Sequence, residues 1–340
     1  MIERKRITSF AKQAQRNGIL IALALLFFVL ASTGAMAAAQ APQHPVQNLK
    51  ITILSTNVAG APNHTIAEWG FSALVEEDGH RFLVDTGSHP DTVLKNAEAM
   101  HIDLSNVQEV ILTHHHWDHV SGLLTLRREL MKQNPKALSI VHVSQGIFYS
   151  RPTPQGENNP MIAIRKEYEA TGGRFIVHAT DAELFPGVWY TGPVPRIYPE
   201  HNWSGSGKVL TPHGLVEDNI PEDSSIVFDT PKGLVILTGC GHAGIVNITT
   251  FTEKHFSNQP VYGIVGGLHL FAQTDQTVDW TASKLKGFHV ENLLGAHCTG
   301  MEATYRLRRE LGLDRKTAVV ATVGSSFSLA NGVQTGPLAR

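Results

Sequence analysis

A run of metal-ligand side chains directly after an apolar strand constrains this chain more than any other feature. Residues 110–113 (VILT) have the composition of a buried strand, and residues 114–119 (HHHWDH) follow at once. Loops that leave a rigid sheet commonly carry functional groups. Because alternate residues of an extended segment share a face, His114 and His116 are predicted to converge on one ion. Asp118 and His119 are predicted to turn toward a second ion nearby.

The residue types in this run suit metal binding. Imidazole nitrogens and carboxylate oxygens are good ligands for zinc, and they also suit iron or manganese. A solvated histidine-rich loop is the simpler alternative, but four ligand-type residues within six positions favour a metal site. His115 is predicted to point away from its two neighbours, so it is excluded from the ligand set.

The N-terminus has the pattern of an export signal. Five of the 28 Lys and Arg, but one of the 30 Asp and Glu, fall in the first 16 residues, and the apolar run 19–31 follows. Residues 35–37 (AMA) have the small-x-small form of a cleavage site. Residues 1–39 are therefore predicted to be a signal peptide, and the protein is predicted to be periplasmic or secreted. An uncleaved membrane anchor is the alternative, because the apolar stretch is just long enough to span a bilayer.

Charge and cysteine content limit the partners. Without the leader, 23 Lys and Arg stand against 29 Asp and Glu, a net charge of −6 that argues against a nucleic-acid partner. A membrane partner is expected only if the leader is retained, and no pattern predicts the oligomeric state. Two cysteines, Cys240 and Cys298, are too few to staple a body of this size, so they either pair with each other or have a chemical role.

Beyond a linker at 40–48, residues 49–330 are predicted to form one domain. Its opening is β-rich, and strands then alternate with helices. The proline-rich stretch from about 144 to 223 has few periodic runs and is predicted to be a cap or insertion. Later strands end in loops that contain His242, His269 and His297.

The histidine run resembles the H-x-H-x-D-H motif of the metallo-β-lactamase superfamily. Two further features of that superfamily follow the expected order, residues 82–87 (FLVDTG) and the strand end 237–239 (LTG). The similarity spans roughly residues 49–325. Other segments resemble the subgroup typified by dihydropterin ribofuranosylaminobenzene-phosphate synthase. These segments are residues 68–72 (EWGFS), 239–247 (GCGHAGIVN), 266–270 (GGLHL) and 297–300 (HCTG).

The resemblance implies an α+β (α/β) fold, a four-layer αββα sandwich with metals at one edge of two facing sheets. It also implies two ligand sets, which are His114, His116 and His242 for one ion and Asp118, His119 and His297 for the other. Two zinc ions are therefore expected, with one ion as the alternative. Many members have a bridging aspartate where this chain has Cys240, which is a candidate further ligand that is softer and more easily oxidised.

Two more residues receive roles from their positions. Asp85 is predicted to orient the ligating histidines, since carboxylates commonly hold such histidines from outside the metal's own ligand shell. His269 is predicted to contact substrate, with metal ligation or a structural role as alternatives.

These residues predict a metal-dependent hydrolase. A zinc ion with an open position lowers the pKa of bound water from near 16 to about 7, which makes hydroxide available at neutral pH. The hydroxide is expected to attack an ester, lactone, thioester or phosphodiester of a small molecule, and Asp118 to orient the water as well as bind metal. The alternatives are a di-iron redox protein and an exported metal-binding protein without catalysis.

We expect the mature protein to begin near residue 40, because the leader combines a basic start, an apolar run and a cleavage motif. Cell fractionation followed by mass spectrometry of the intact chain measures its N-terminus. A full-length chain recovered from the membrane fraction would instead show an uncleaved anchor.

Overall fold

Two facing β-sheets, of eight and seven strands, organise the computed structural model of this chain. The structure describes residues 44–60, 64–203 and 205–336, so the predicted signal peptide lies outside it. Within these residues, no helix combines the length and apolar character needed to cross a membrane.

The elements follow the chain in a mixed order. The strands are β1 (Leu49–Ser55), β2 (Ser72–Glu77), β3 (His80–Val84), β4 (Glu109–Ile111), β5 (Ile140–Ser144), β6 (Pro152–Thr153), β7 (Gly156–Glu157), β8 (Arg174–His178), β9 (Ala182–Phe185), β10 (Val188–Tyr190), β11 (Lys208–Thr211), β12 (Gly214–Glu217), β13 (Ser225–Phe228), β14 (Leu234–Thr238), β15 (Val261–Gly266), β16 (Asn292–Gly295), β17 (Ala318–Val320), β18 (Ser326–Ser328) and β19 (Gly332–Gln334). The helices are α1 (Thr92–Ala99), α2 (Trp117–Val120), α3 (Leu123–Leu130), α4 (Pro160–Glu169), α5 (Ile245–His255), α6 (Asp275–Lys286) and α7 (Met301–Glu310).

Both sheets contain a parallel half. The larger sheet has the order β19-β18-β1-β2-β3-β4-β5-β8, and the smaller has the order β17-β16-β15-β14-β13-β10-β9. Strands β3, β4, β5 and β8 run parallel, as do β14, β15, β16 and β17. Parallel neighbours need crossover connections, and helices occupy most of these links. The carboxyl ends of parallel strands share one edge, so the loops after them are collected there.

Apolar side chains fill the space between the sheets. Those that point inward from both sheets form one buried cluster, which includes Ile51, Phe82, Phe228, Leu237 and Leu294. Aromatic rings contribute to it directly, because the rings of Phe82 and Phe228 lie 6.5 Å apart in a stacked arrangement. This cluster joins the two sheets into one body.

Helices cover the outer face of each sheet. On the larger sheet, Leu83 packs in a cluster with Val93 of α1 and Leu126 of α3. On the smaller sheet, Ile264 packs in a cluster with helix residues that include Leu285 of α6. The order of layers is helix, sheet, sheet, helix, so the predicted four-layer αββα sandwich is confirmed.

The stretch predicted as a cap from about 144 to 223 needs correction, because much of it belongs to the sheets. Strand β8 ends the larger sheet, and β10 pairs with β13 in the smaller one, with β9 beyond it. The hairpins β6–β7 and β11–β12 do form separate two-stranded sheets. The side chains of β8 and β9 are mostly half-buried, so their sequence lacks the clear alternation that marks a strand.

Glu77 is a buried carboxyl group at the other end of the sandwich. It ends β2, beside the amino end of β3, and its side chain is 2% exposed. Its Oε1 atom has no hydrogen-bond partner among the described residues. Burial, together with the charge of the adjacent Asp78, raises the pKa of Glu77 to about 7.

We expect Glu77→Gln to flatten the pH dependence of stability. The native state keeps this proton up to about pH 7, whereas an unfolded glutamate releases it near 4.5, so the free energy of unfolding falls as pH rises through this window. The variant should therefore be more stable than the wild type at pH 8, by roughly 1 kcal/mol. Urea unfolding at pH 4.5 and pH 8 measures the effect. The more exposed neighbour Glu76→Gln is the control, and an unchanged pH dependence in Glu77→Gln would contradict the prediction.

Candidate metal centre

Loops from both sheets meet at the edge formed by the carboxyl ends of the parallel strands. They follow β3, β4, β14, β15 and β16, and they bring together Asp85, the histidine run, Cys240 with His242, His269 and His297. The sequence-predicted site residues, which are spread over more than 200 positions, therefore lie in one place.

His114, His116 and His242 form the first group. The centroid of the His114 ring lies 4.6 Å from that of His116 and 4.8 Å from that of His242. The rings of His116 and His242 are 4.9 Å apart. Cys240 joins this group, because the potential ligand atoms of His114, Cys240 and His242 all lie within 4.8 Å of one another.

Asp118, His119 and His297 form the second group. Asp118 Oδ2 lies 3.2 Å from His297 Nε2 and 3.9 Å from His119 Nε2. Cys240 Sγ lies 3.1 Å from His119 Nε2, and the potential ligand atoms of His119, Cys240 and His297 are again within 4.8 Å of one another. Cys240 thus belongs to both groups, at the position where a bridging ligand was expected.

Hydrogen bonds to Nδ1, the ring nitrogen that faces away from the centre, fix histidines in both groups. His119 Nδ1 donates to Asp85 Oδ2 at 2.7 Å, and His242 Nδ1 donates to the backbone carbonyl of Asn202. His297 Nδ1 lies 3.2 Å from Asn57 Oδ1. In the neutral imidazole, each of these contacts keeps the proton on Nδ1 and leaves the lone pair on Nε2 for an ion.

Whether the residues fit a metal depends on whether their buried Nε2 atoms already have hydrogen-bond partners. Those of His114 and His242 are buried and have no hydrogen-bond partner among the described residues, and that of His297 is buried at 3.2 Å from Asp118 Oδ2. Buried polar atoms are rarely left unpaired in folded proteins. Unpaired imidazole nitrogens grouped around a thiol are the donor set of a zinc site, so the residues fit this metal.

Local electrostatics favour neutral imidazoles in the first group. Burial, together with the neighbouring imidazoles, lowers the pKa values of His114, His116 and His242 well below 6.5. Neutral imidazole is the form that binds a metal. These three side chains therefore need not lose a proton before they bind an ion at neutral pH.

In the second group, local charges instead favour a protonated histidine. Burial would lower the pKa of His119, but the carboxylates of Asp85 and Asp118 raise it to about 9. Burial would likewise raise the pKa of Asp118, but His119 and His297 hold it well below its usual range. An ion at this group therefore competes with a proton on His119.

Asp85 occupies the position predicted for a residue that orients the histidines. Its carboxylate, which is fully buried, accepts from the backbone N–H and the hydroxyl of Thr113 at 2.8 Å each, besides the bond to His119. The loop after β14 approaches it so closely that a Cβ on Gly239 would lie 2.4 Å from Asp85 Oδ2. The backbone of Asp85 is left-handed, with φ 56°, as are those of His269 and His297. Such strain is tolerated where the surrounding structure fixes it.

His269 and Cys298 lie behind the thiol of Cys240. The His269 ring centroid is 4.3 Å from that of His242, and its Nδ1 is buried without a partner among the described residues. Cys298 Sγ lies 3.2 Å from Cys240 Sγ, and both cysteines are free thiols. Potential ligand atoms of Cys240, His269 and Cys298 form a third close set. His269 therefore lies beside the metal groups, where the sequence placed a substrate contact.

His115 points away from the groups, as predicted, but it has a partner that the sequence did not reveal. Its Nδ1 lies 2.7 Å from Glu222 Oε1, and Arg151 donates to the other oxygen of Glu222 at 2.6 Å. This buried chain ties the histidine run to the segment before β13. Asn57 and Asn202 were also missed. No local pattern marks any of these partners, because each acts from a distant part of the chain.

The chain is similar to known proteins of one superfamily. Residues 70–210 match the family model described as the metallo-beta-lactamase superfamily. A crystal structure of a metal-dependent hydrolase of the beta-lactamase superfamily has a TM-score of 0.66 and 25% sequence identity, and covers 82% of this chain and 98% of that chain. The chain has the fold of the metallo-β-lactamase superfamily and resembles its members in sequence.

Two more proteins are similar to this chain. The 7,8-dihydropterin-6-methyl-4-(beta-D-ribofuranosyl)-aminobenzene-5'-phosphate synthase of Methanocaldococcus jannaschii is 27% identical over 276 residues, 79% of this chain and 94% of that protein. The metallo-beta-lactamase fold protein YhfI of Bacillus subtilis, with a TM-score of 0.52 and 15% identity, covers 83% of this chain and 100% of its own, and it shares the fold. The resemblance seen in the sequence is confirmed. Proteins with this fold typically bind metal, and the histidine and cysteine groups of this chain could hold an ion.

We expect Asp85→Asn to weaken zinc binding by roughly 10- to 100-fold, because the amide no longer supplies the negative charge that holds and polarises His119. Asparagine keeps the size of the side chain and tolerates the left-handed backbone, so the fold should survive. Competition with a chromophoric chelator measures the affinity. Asp103→Asn, at an aspartate outside the site, is the control, and equal affinities for wild type and Asp85→Asn would show that Asp85 does not act on the metal.

Proposed function

We propose that this protein is a zinc-dependent hydrolase of the metallo-β-lactamase superfamily that acts on an ester, lactone, thioester or phosphodiester of a small molecule. The observation that carries the proposal is the set of buried Nε2 atoms around the shared thiol of Cys240. Those of His114 and His242 are unpaired among the described residues, and that of His297 lies beside Asp118. Similarity to a metal-dependent hydrolase over most of both chains supports the same class of reaction.

The residues divide into two sets of ligands. His114, His116 and His242 would hold one ion, and Asp118, His119 and His297 the other, with Cys240 shared between them. Thiolate and imidazole ligands favour zinc over metals that prefer oxygen. A zinc ion held there lowers the pKa of a water molecule to about 7 and polarises a carbonyl or phosphoryl oxygen.

Asp118 is the residue that we assign to orienting the attacking water. Its pKa is held well below the usual range, so the group is a carboxylate at neutral pH and accepts hydrogen bonds. Its Oδ2 atom is already fixed beside His297. A carboxylate held in this way orients a water molecule without having to reorganise, which is the main source of catalytic gain from positioning.

His269 contributes on the substrate side. Its ring lies beside His242 and is partly exposed, whereas most of the metal-ligand candidates are buried. We therefore assign it to substrate contact. We also place the activity outside the cytoplasm, with a small molecule as substrate, on the strength of the leader and the acidic mature chain.

We expect the purified protein to contain about two zinc ions per chain and to hydrolyse at least one class among esters, lactones, thioesters and phosphodiesters. His116→Ala should lower kcat/KM by at least roughly 100-fold, because it removes a candidate ligand at the open side of the first group. His213→Ala is the control, since this exposed histidine lies in the β11–β12 turn. Elemental analysis and a substrate screen provide the two readouts.

Other outcomes would replace the proposal. Full hydrolytic activity in His116→Ala would remove the assigned mechanism. Iron with absorption in the visible region would indicate a redox protein, and tightly bound zinc without turnover would indicate a metal-binding protein.

A further inference from the structure

A pocket of about 660 Å³ opens beside the histidine run, between α2 and α4. His115, His116 and Trp117 line one side, and Asn158 with residues of α4 lines the other. Its volume lies within the range of small-molecule sites, roughly 300 to 1,000 Å³. His116, a candidate ligand of the first ion, connects the pocket directly to the metal centre.

The walls of this pocket are apolar and exposed. Trp117 is 53% exposed and Ile162 is 41% exposed, although both are large hydrophobic side chains. Ile162, Ala163 and Lys166 lie on one face of α4, because residues three and four apart are neighbours on a helix. Exposed apolar side chains gathered in a concave site mark a place where another molecule binds.

The far end of the pocket carries a positive charge. Lys166 makes no ion pair with any residue in the described part of the chain. The carboxylate that lines the pocket, Glu157, is already engaged: it accepts from Ser150 Oγ at 2.6 Å and from the backbone N–H groups of Arg151 and Asn159 at 2.8 Å each. Lys166 therefore offers an ammonium group to a ligand. Glu157 stays ionised, but its donors hold its carboxylate before the start of α4, away from the Lys166 end of that helix.

We propose that this pocket selects substrates with a flat apolar body that ends in an anionic group. The body lies between Trp117 and Ile162, the anion lies at Lys166, and the bond to be cleaved lies toward His116. Because a helix rises about 1.5 Å per residue, Lys166 lies roughly 9 Å along α4 from Pro160 at its start. This distance is about the length of two fused rings. The cleavage of such a molecule rests on the proposed function, whereas its binding in the pocket does not.

Two fluorescent probes test the pocket without any need for turnover. One is 8-anilinonaphthalene-1-sulfonate, and the other is N-phenyl-1-naphthylamine, which has the same rings but no sulfonate. Titration of the purified, metal-containing protein should show saturable binding of both probes. We expect Trp117→Ala to weaken both by about tenfold, since an aromatic wall contributes through stacking and burial.

The difference in affinity between the two probes tests whether Lys166 binds the anionic group. Lys166→Gln should weaken the sulfonate probe by roughly fivefold and leave the neutral probe unchanged, because only the former carries an anion. Lys286→Gln, at an exposed lysine of α6, should change neither. Phe271→Ala controls for the other exposed aromatic wall, where Phe271 packs against Trp69 at 5.1 Å, and should also change neither.

The inference is overturned if the sulfonate probe does not bind saturably, if Lys166→Gln affects both probes equally, or if Phe271→Ala rather than Trp117→Ala abolishes binding. Metal content measured on each variant separates a local effect from loss of the centre. Absence of hydrolysis with the expected probe pattern would remove the proposed function and leave the pocket assignment standing. Hydrolysis without that pattern would remove the pocket assignment alone.

Discussion

The hydrogen bonds of the Asp85 carboxylate are the interactions on which the rest of the site depends. One buried group holds the end of β4 through Thr113, fixes the ring of His119, and lies against Gly239 of the loop after β14. It therefore joins the two sheets at the edge where the histidines gather. A charge in this position is costly unless its acceptors are filled, and here three donors fill them.

Cys240 gives this centre its individual chemistry. Its thiol is shared by the two groups of histidines, and burial raises its pKa, so an ion is needed to stabilise the thiolate. A thiolate is a softer ligand than the aspartate found at this point in many members of the superfamily. The free thiol of Cys298 lies against it at 3.2 Å, on the side of His269 and outside the two groups of metal-ligand candidates.

The sequence best predicted those functional features that depend on residues close together in the chain. The histidine run and the strands that end in His242 and His297 predicted the grouping of side chains that the structure shows, because parallel strands deliver their following loops to one edge. The sequence did not predict β8, β9 and β10, which were assigned to a cap. Strands β8 and β9 are mostly half-buried and lack alternation, and β10 is only three residues long. The sequence also did not predict Asn57, Asn202 and Glu222, which act through contacts between positions far apart in the chain.

X-ray absorption at the zinc edge of the purified protein tests the central claim most directly. A centre shared by histidines and Cys240 predicts zinc with nitrogen neighbours at about 2.0 Å and a sulfur neighbour at about 2.3 Å, and the sulfur shell should disappear in Cys240→Ser. A zinc spectrum with light-atom neighbours alone, or a protein without zinc, would contradict the account.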